Sequence, residues 1–267
     1  MYKNIISLIP LSYKSSQEQI ENFFIQVKSF IKKVELIVIL ENDDEISYHY
    51  WKRQIEKNGI DNYLLYKLFN KSSKGECLNR AIKECNSEYI MRCDMDDYIL
   101  PNRYELTLKA IEDKKCKKDF IYSDMIDLNN NKKIKYPSTT NIEFFSLFKN
   151  PFPSPTTCFR KSFFVERNLK FPKTNRCEDL YLSLSFIDKK ANFFKLDQPV
   201  VKYNNNNNFR RDYIHWFTNA KVRFQVRRLR KDSIGYLSLI FIIFILVIAN
   251  IKLILSFIKK LKIKLYL

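Results

Sequence analysis

The sequence predicts an α/β domain, with a mostly parallel central sheet flanked by helices, followed by a membrane-associated helical tail at the C-terminus. Over the first half of the chain, short apolar runs alternate with amphipathic segments of about ten to fifteen residues, the pattern of right-handed βαβ units. Of the 267 residues, 46% are hydrophobic and 15% are aromatic, which is enough to build a core. Near the C-terminus, residues 234–251 form a run of 18 residues without a charge, which predicts an apolar helix.

The predicted strands of the first half are short apolar runs that end in polar residues or turns. Pro10 is expected to stop the first strand, and the helix that follows has Ile20, Phe24 and Val27 on one face. The strands are predicted at residues 4–9, 34–40, 63–69 and 89–91, and the later helices at 47–57, from about 74, and at 103–113.

The second half breaks this regular alternation. Three prolines in the segment 150–156 predict an ordered loop without regular structure, and five consecutive asparagines at 204–208 predict a polar loop. The remaining elements are predicted as strands at 119–123, 192–196 and 199–203, a hairpin turn at 127–133, a short helix at 141–149, a helix after residue 178, and a basic helix at 213–231.

An acidic turn follows the buried strand at 89–91. Asp94, Asp96 and Asp97 come directly after it, and alternation along an extended chain would place Asp94 and Asp96 on the same side. There they would repel each other unless a cation lay between them, and carboxylate oxygens suit Mg²⁺ or Mn²⁺. Because open α/β sheets bind ligands at the carboxyl ends of their strands, the turn predicts a metal and phosphate site. A solvated turn is the alternative.

A second acidic pair, Glu178 and Asp179, stands in the first turn of a predicted helix. Carboxylates at this position interact favourably with the helix dipole, so the pair taken alone favours a structural role. A catalytic role stays open.

Composition excludes several classes of function. The chain has three glycines, so it contains neither a Walker A loop nor a GxGxxG fingerprint. Its six cysteines form no CxxC pair and no secretory signal precedes them, which favours a reducing cytoplasm without a disulfide framework. The two histidines, His49 and His215, are far apart, which argues against a zinc site or a histidine-based triad. Any catalysis must therefore depend on carboxylates.

The positive charge is concentrated in the tail. Residues 202–267 account for +12 of the net charge of +18, and lysines and arginines lie on both sides of the apolar run. A run of this length can just cross a bilayer or lie partly embedded in it, and the basic flanks favour anionic lipid. A buried core helix is the alternative.

Three ordered segments carry a resemblance to a known family. They read KGECLNRAIKECNSEYIMRCDMDDYILPNRYE at 74–105, NPFPSPTTCFRKS at 150–162 and CED at 177–179. Over about residues 3–211 the chain resembles the family 2 inverting glycosyltransferases of the GT-A fold, particularly bacterial enzymes that build capsule, O-antigen and other surface polysaccharides.

The resemblance implies roles for individual residues. Asp96 would coordinate Mn²⁺ or Mg²⁺ bound to the diphosphate of a nucleotide sugar, and Asp94 would face the ribose or the water shell of the metal. Asp179 would take the proton of the acceptor hydroxyl, with Glu178 as the less favoured base. The other implied nucleotide-sugar contacts are Pro10, Leu11, Ser12, Glu41, Asp43 and Asn79.

The chain departs from the family pattern at two positions. Ser154 stands where many members have a histidine before proline, and Asn204 stands where a basic residue is common. We therefore expect Arg210 or Arg211, after the asparagine tract, to contact the diphosphate.

These observations predict an inverting transferase that uses a nucleotide sugar, a UDP-sugar by preference, and a lipid-linked or growing glycan acceptor. The expected partners include membrane lipid and exclude nucleic acid, and the expected location is the cytoplasmic face of the inner membrane. A metal-dependent nucleotidyltransferase and a non-catalytic basic protein that binds membrane or nucleic acid are the alternatives. The predicted regions are a catalytic domain at 1–211, a basic connecting helix at 212–233, and an apolar helix with a basic tail at 234–267.

Overall fold

The computed structural model describes residues 5–12, 15–40, 45–68, 72–174, 176–205, 213–227 and 232–265. Its larger sheet has the strand order β10-β6-β9-β4-β1-β2-β3, and a smaller sheet has the order β5-β11-β7-β8. The strands are β1 Ile6–Leu11, β2 Glu35–Leu40, β3 Tyr63–Lys67, β4 Tyr89–Asp94, β5 Tyr98–Ile99, β6 Phe120–Tyr122, β7 Met125–Asp127, β8 Lys133–Ile134, β9 Cys158–Arg160, β10 Phe193–Lys195 and β11 Val201–Tyr203. The helices are α1 Gln17–Val27, α2 Glu45–Lys57, α3 Lys74–Glu84, α4 Arg103–Glu112, α5 Ile142–Ser146, α6 Lys161–Glu166, α7 Glu178–Asp188, α8 Tyr213–Arg227 and α9 Ser233–Leu265.

The prediction of a mostly parallel sheet with helical cover is confirmed. β1 pairs in parallel with β2 and β4, β2 with β3, and β6 with β10. β9 is reversed: it lies antiparallel between β4 and β6, in the middle of the sheet. The sequence did not predict this strand, because Cys158–Arg160 stands between threonines and a lysine and forms no apolar run.

Pro10 does not end the first strand, so that expectation was wrong. β1 continues through Leu11 and pairs with β4 along its whole length, whereas its pairing with β2 involves only Ser7 and Leu8. At Pro10 the strand therefore has one neighbour, and the missing N–H is tolerated there as it is at a sheet edge.

The core has two layers, one on each face of the larger sheet. Alternation along β2 makes this visible, because Leu36, Val38 and Leu40 join one apolar cluster while Ile37 and Ile39 join the other. The first cluster includes the buried faces of α1 and α2, and the second includes those of α3, α6 and α7. Both faces of this strand are covered, which explains its unbroken apolar sequence.

The smaller sheet fixes the position of the segment that follows β4, because that segment leads into β5. The predicted hairpin turn lies between the antiparallel strands β7 and β8. β11 pairs with β7 and with β5, so the end of β11 lies beside the segment that leads from β4 into β5. This arrangement brings residues 203–204 next to the acidic turn.

The tail forms two helices, α8 and α9. The basic helix predicted for 213–231 is observed at Tyr213–Arg227, and the apolar run forms the first part of the 33-residue helix α9. Within the described chain, Ser233–Leu255 is the one helical segment long and apolar enough to cross a membrane.

Candidate active site

The acidic turn lies where β4 ends, beside the end of β1. Leu11 pairs with Asp94 in the parallel ladder, so the two strands finish at the same edge. The chain does not stay extended after Asp94, contrary to expectation, because the Asp97 amide donates to the Asp94 carbonyl (3.3 Å) and closes a turn. Asp94 and Asp96 are half-buried, whereas Asp97 is buried.

The surroundings of Asp97 show that the three carboxylates are close together. Its Oδ1 accepts the backbone N–H of Asn204 (2.8 Å), and its buried Oδ2 has no hydrogen-bond partner in the described part of the chain. Burial, followed by the charge of Asp94 and then that of Asp96, raises the pKa of Asp97 to about 8. The turn therefore concentrates negative charge that a cation would relieve.

The residues of the turn fit a hard divalent cation. Their donors are carboxylate oxygens, and Asp97 Oδ2 is a buried oxygen left over for an additional contact. In the part of the chain that the structure describes, no group of three or more His, Cys, Asp or Glu side chains forms a complete metal cage. Mg²⁺ is commonly held by one or two carboxylates together with substrate phosphates, so an incomplete cage suits a metal shared with a diphosphate.

The second acidic pair opens α7, as predicted. Cys177 precedes the helix in a left-handed conformation (φ 57°), and Glu178 and Asp179 occupy its first turn. Glu178 is buried and its Oε1 lies 3.1 Å from Lys74 Nζ. Asp179 is half-buried, and its Oδ2 accepts a hydrogen bond from Asn150 Nδ2 (3.0 Å). An ammonium thus stabilises the charge of Glu178, whereas a neutral amide orients Asp179.

Lys74 connects the two acidic clusters. Burial by itself lowers the pKa of this lysine, but the charges of Asp94 and Glu178 outweigh burial and raise it above its ordinary value. The ammonium therefore stays protonated between the acidic turn and α7. No sequence pattern had indicated a role for Lys74, apart from its position before Gly75 at the start of α3.

The start of α3 also holds the segment that leads into α7. Asn79 donates from Nδ2 to the carbonyl of Phe171 (2.9 Å) and accepts the Phe171 N–H at Oδ1 (2.8 Å). A Cβ added to Gly75 would lie 1.9 Å from the carbonyl oxygen of Pro172, so only glycine permits this approach. Asn79, expected to bind the nucleotide sugar, thus has its amide paired with protein backbone.

Two tyrosines lie close to Asp179, and one of them, Tyr203, is also close to the acidic turn. Burial and the nearby charges of Asp97, Asp96, Asp94 and Asp179 raise the pKa of Tyr203. Burial also raises the pKa of Tyr136, with smaller contributions from Tyr203 and Asp179. Both phenols therefore stay protonated hydrogen-bond donors in the region between the acidic turn and α7. No sequence pattern had indicated either of them.

The other predicted site residues are placed as follows. Ser12 is buried and its hydroxyl joins Ser15 and the indole N–H of Trp51, and Pro10 lies within β1. Ser154 has a buried Oγ without a hydrogen-bond partner in the described chain, close to the end of β4. Glu41, Asp43, Arg210, Arg211 and the side chain of Leu11 lie outside the described residues.

Comparison with known proteins identifies the family. The family model described as "Glycosyltransferase like family 2" matches residues 7–138, a span that includes β1 to β8 and the acidic turn. The chain is a family 2 glycosyltransferase. It is a nucleotide-sugar transferase, and its α/β architecture is that of the GT-A fold. This family places the chain among enzymes, in preference to the alternative of a charge-binding protein.

Solved structures share the fold of this glycosyltransferase. S. aureus TarS 1-349 in complex with UDP-GlcNAc is 16% identical, with a TM-score of 0.66 over 87% of this chain and 69% of that one. The mannosyltransferase PcManGT from Pyrobaculum calidifontis, in complex with GDP-Man and Mn²⁺, is 13% identical, with a TM-score of 0.67 over 96% and 75%. The chain spans 41% of the longer S. aureus TarS structure. No curated protein matches the sequence.

Proposed function

We propose that this glycosyltransferase moves a sugar with inversion from a UDP-sugar to a hydroxyl of a lipid-linked or growing glycan, with Mn²⁺ or Mg²⁺ at the acidic turn. The observation that carries the proposal is the contrast between the two carboxylates of α7. Glu178 is paired with an ammonium, whereas Asp179 is half-buried, accepts from neutral donors among the described residues and is close to Tyr203 and Tyr136.

The acidic turn would receive the donor diphosphate. A divalent ion bound there would stabilise the negative charge that develops on the leaving nucleoside diphosphate. Asp96 and Asp94 are the proposed ligands. Oδ2 of Asp97 is buried and has no hydrogen-bond partner in the described part of the chain, whereas Oδ1 accepts the N–H of Asn204. Asp97 would therefore keep the end of β11 in place. Arg210 and Arg211 follow this strand in sequence and are proposed to contact the diphosphate.

Asp179 would act as the general base. Its Oδ1 accepts the Leu180 N–H and its Oδ2 accepts the Asn150 amide, so its orientation is fixed while its lone pairs still have room for the acceptor proton. A hydroxyl deprotonated there and aligned with the leaving group would attack from the opposite face and invert the anomeric carbon. No covalent sugar intermediate is required. The phenols of Tyr203 and Tyr136 would donate hydrogen bonds to the bound sugar.

The C-terminal tail supports a membrane-bound acceptor. Its apolar helix and basic residues would hold the catalytic domain at the cytoplasmic face of the inner membrane, where a lipid-linked glycan has a raised local concentration. A role in the synthesis of bacterial surface polysaccharide follows from the same acceptor class.

The proposal is tested by calorimetric titration of the detergent-solubilised full chain with UDP and with GDP, each with and without Mn²⁺. We expect binding of UDP that requires the metal and is lost in an Asp96→Ala variant. The control variant, Asp61→Ala, changes an exposed aspartate outside the turn and should bind UDP as the parent does. Preference for GDP would correct the donor, and absence of metal-dependent nucleotide binding would refute the role of the turn.

The products then separate the possible reactions. Transfer from a UDP-sugar should release UDP and give a glycoside whose anomeric configuration, read by NMR, is opposite to that of the donor. Release of pyrophosphate would instead indicate nucleotidyl transfer. Equal nucleotide affinity for the parent and an Arg210→Ala, Arg211→Ala double variant would exclude these arginines from diphosphate binding.

A further inference from the structure

The helix α9 presents a continuous apolar face that no described residue covers. Four large side chains on its first half, Ile240, Ile243, Phe244 and Val247, are each at least half exposed. Ile251 and Ile254 continue the same face at alternating spacings of three and four residues. An exposed apolar stripe of this length is rare on a protein surface that faces only water.

The opposite face of α9 is packed against protein. Ser238, Ile242, Ile245 and Ala249 are buried, and their spacing of four, three and four residues defines a second stripe. Ile242 and Ile245 share one apolar cluster with Ala220 of α8. The first half of α9 is therefore joined lengthwise to α8.

The helix α8 is in turn bound to the catalytic domain. Arg227 lies 2.7 Å from Asp188 at the end of α7 and also donates to Ser146 Oγ (2.9 Å). Arg223 donates to the Ser146 carbonyl (2.5 Å). Both arginines are nearly fully buried, so moving α8 away from the domain would break buried contacts of two guanidinium groups.

These contacts conflict with a helix that crosses the bilayer. The segment Ser233–Leu255 has 23 residues, about 34 Å at 1.5 Å per residue. If this segment crossed the bilayer, the residues of α8 that pack against it, with the nearby arginines, would lie within the hydrocarbon. The part of α9 beyond Ala249 is 16 residues long and contains five lysines, whereas a span needs about 20 apolar residues. Neither half of α9 has the properties of a transmembrane span.

A neighbouring helix extends the apolar face. Phe148, just after α5, packs edge-to-face against Phe241 of α9 with ring centroids 5.3 Å apart. Phe144, on α5 itself, contacts Phe148 and is 63% exposed. The exposed stripe of α9 and these two phenylalanines form one surface, here called the α5–α9 surface.

We propose that the α5–α9 surface binds one leaflet of an anionic bilayer, with α9 lying in the plane of the membrane and the chain entering and leaving on the same side. The inference rests on the proposed membrane attachment and specifies its geometry. Charge supports the choice of partner, because Lys252 is exposed next to Ile251 and four further lysines follow in the sequence at 259–264. Lysines in that position can reach anionic headgroups while the apolar stripe is embedded.

The first experiment measures attachment by flotation of the full chain with vesicles of phosphatidylcholine alone or with added phosphatidylglycerol. We expect flotation that increases with phosphatidylglycerol. A variant with Ile240→Gln, Phe244→Gln and Val247→Gln should partition at least about tenfold more weakly. The control is Ile46→Gln, which changes a side chain that is 73% exposed on α2, a helix that packs with α1 in the first apolar cluster. Equal loss in both variants would overturn the assignment of this surface.

The second experiment distinguishes the geometry by labelling single cysteines with a membrane-impermeant maleimide in sealed vesicles. In a Cys116→Ser background, which removes the exposed native thiol, Lys252→Cys should react and Ile254→Cys should be protected. In a helix that crosses the membrane or re-enters it, the two cysteines would be labelled to the same extent. A C-terminal tag should be digested by protease added outside, and protection of the tag would refute the in-plane arrangement.

Two outcomes separate failure of this geometry from failure of the function. Vesicle binding with a protected C-terminus would overturn the in-plane arrangement and leave membrane attachment intact. A stable dimer in the absence of detergent, without vesicle binding, would assign the α5–α9 surface to a second copy of the chain. UDP binding with Mn²⁺ tests the catalytic proposal in either case.

Discussion

The two acidic clusters of this glycosyltransferase are built in different ways. The turn after β4 is local, since its carboxylates are within four residues of each other and a hydrogen bond between Asp97 and Asp94 shapes it. The pair on α7 is placed by distant contacts, through Asn150, which is 29 residues from Asp179, and through Asn79 and Phe171, which are 92 residues apart. The first cluster is therefore visible in a short stretch of sequence, and the second becomes a site only in the folded chain.

The clusters also differ in how their charge is balanced. On α7 Lys74 neutralises Glu178, whereas Asp179 accepts from a neutral amide, and for this reason Asp179 is the proposed base. In the turn, burial and then the charges of Asp94 and Asp96 raise the pKa of Asp97, an effect that a bound cation would oppose. The ammonium of Lys74 is close to Asp94 as well as to Glu178, so the two clusters also share a positive charge.

The sharpest test of this contrast is Asp179→Asn. We expect kcat to fall by about 10² to 10⁴-fold, because the amide cannot accept the proton, while metal-dependent UDP affinity stays unchanged. Steady-state kinetics and calorimetry on the same preparation measure both quantities. Loss of UDP binding in this variant would show that the two clusters are not functionally separate.

The link between the clusters is tested by Gly75→Ala. Alanine within a helix ordinarily stabilises it by about 0.5 to 1 kcal/mol, but here the Cβ would meet the Pro172 carbonyl, so we expect a loss of about 1 to 3 kcal/mol. The displacement of the segment before α7 should lower kcat more than UDP affinity. Lys83→Ala, at an exposed position of the same helix, is the control and should change neither quantity.

A smaller effect is expected for Glu178→Gln. The amide keeps a hydrogen-bond acceptor for Lys74 but removes a buried charge, so the free energy of unfolding should fall by about 1 to 3 kcal/mol, with kcat reduced less than tenfold. Chemical denaturation and steady-state kinetics provide the measurements. A loss of kcat as large as that of Asp179→Asn would assign the base to Glu178.

The smallest effect concerns Asp97 and pH. Because its pKa is raised to about 8 in the folded protein, against about 4 in an unfolded chain, folding binds a proton between these values. The contribution of Asp97 to stability therefore decreases as pH rises from about 4 to 8. In chelator, Asp97→Asn should keep the Asn204 contact and gain stability over the parent at pH 8 compared with pH 5.5. Parallel pH profiles by urea denaturation would contradict the raised pKa.

Much of the fold can be predicted from the sequence, because burying one or both faces of an element gives its apolar residues a characteristic spacing along the chain. The apolar runs predicted β2, β3 and β4, the turn residues predicted the hairpin of β7 and β8, and the apolar tail predicted a helix. The position of Asp94 and Asp96 at the end of β4 was predicted for the same reason, since polar groups that follow a buried apolar run are expected at the edge of a sheet.

Other features depend on which distant segments meet. The reversed strand β9 has no apolar run of its own and is defined by its pairing with β4 and β6. Lys74, Tyr203 and Asn150 become parts of the candidate site through partners elsewhere in the chain, and the packing of α8 on one side of α9 is likewise a tertiary contact. The sequence by itself determined which residues are buried and where charge gathers, because these are properties of local pattern. The tertiary structure decided which carboxylate of α7 pairs with an ammonium and which with a neutral amide, because Lys74 and Asn150 both come from outside α7.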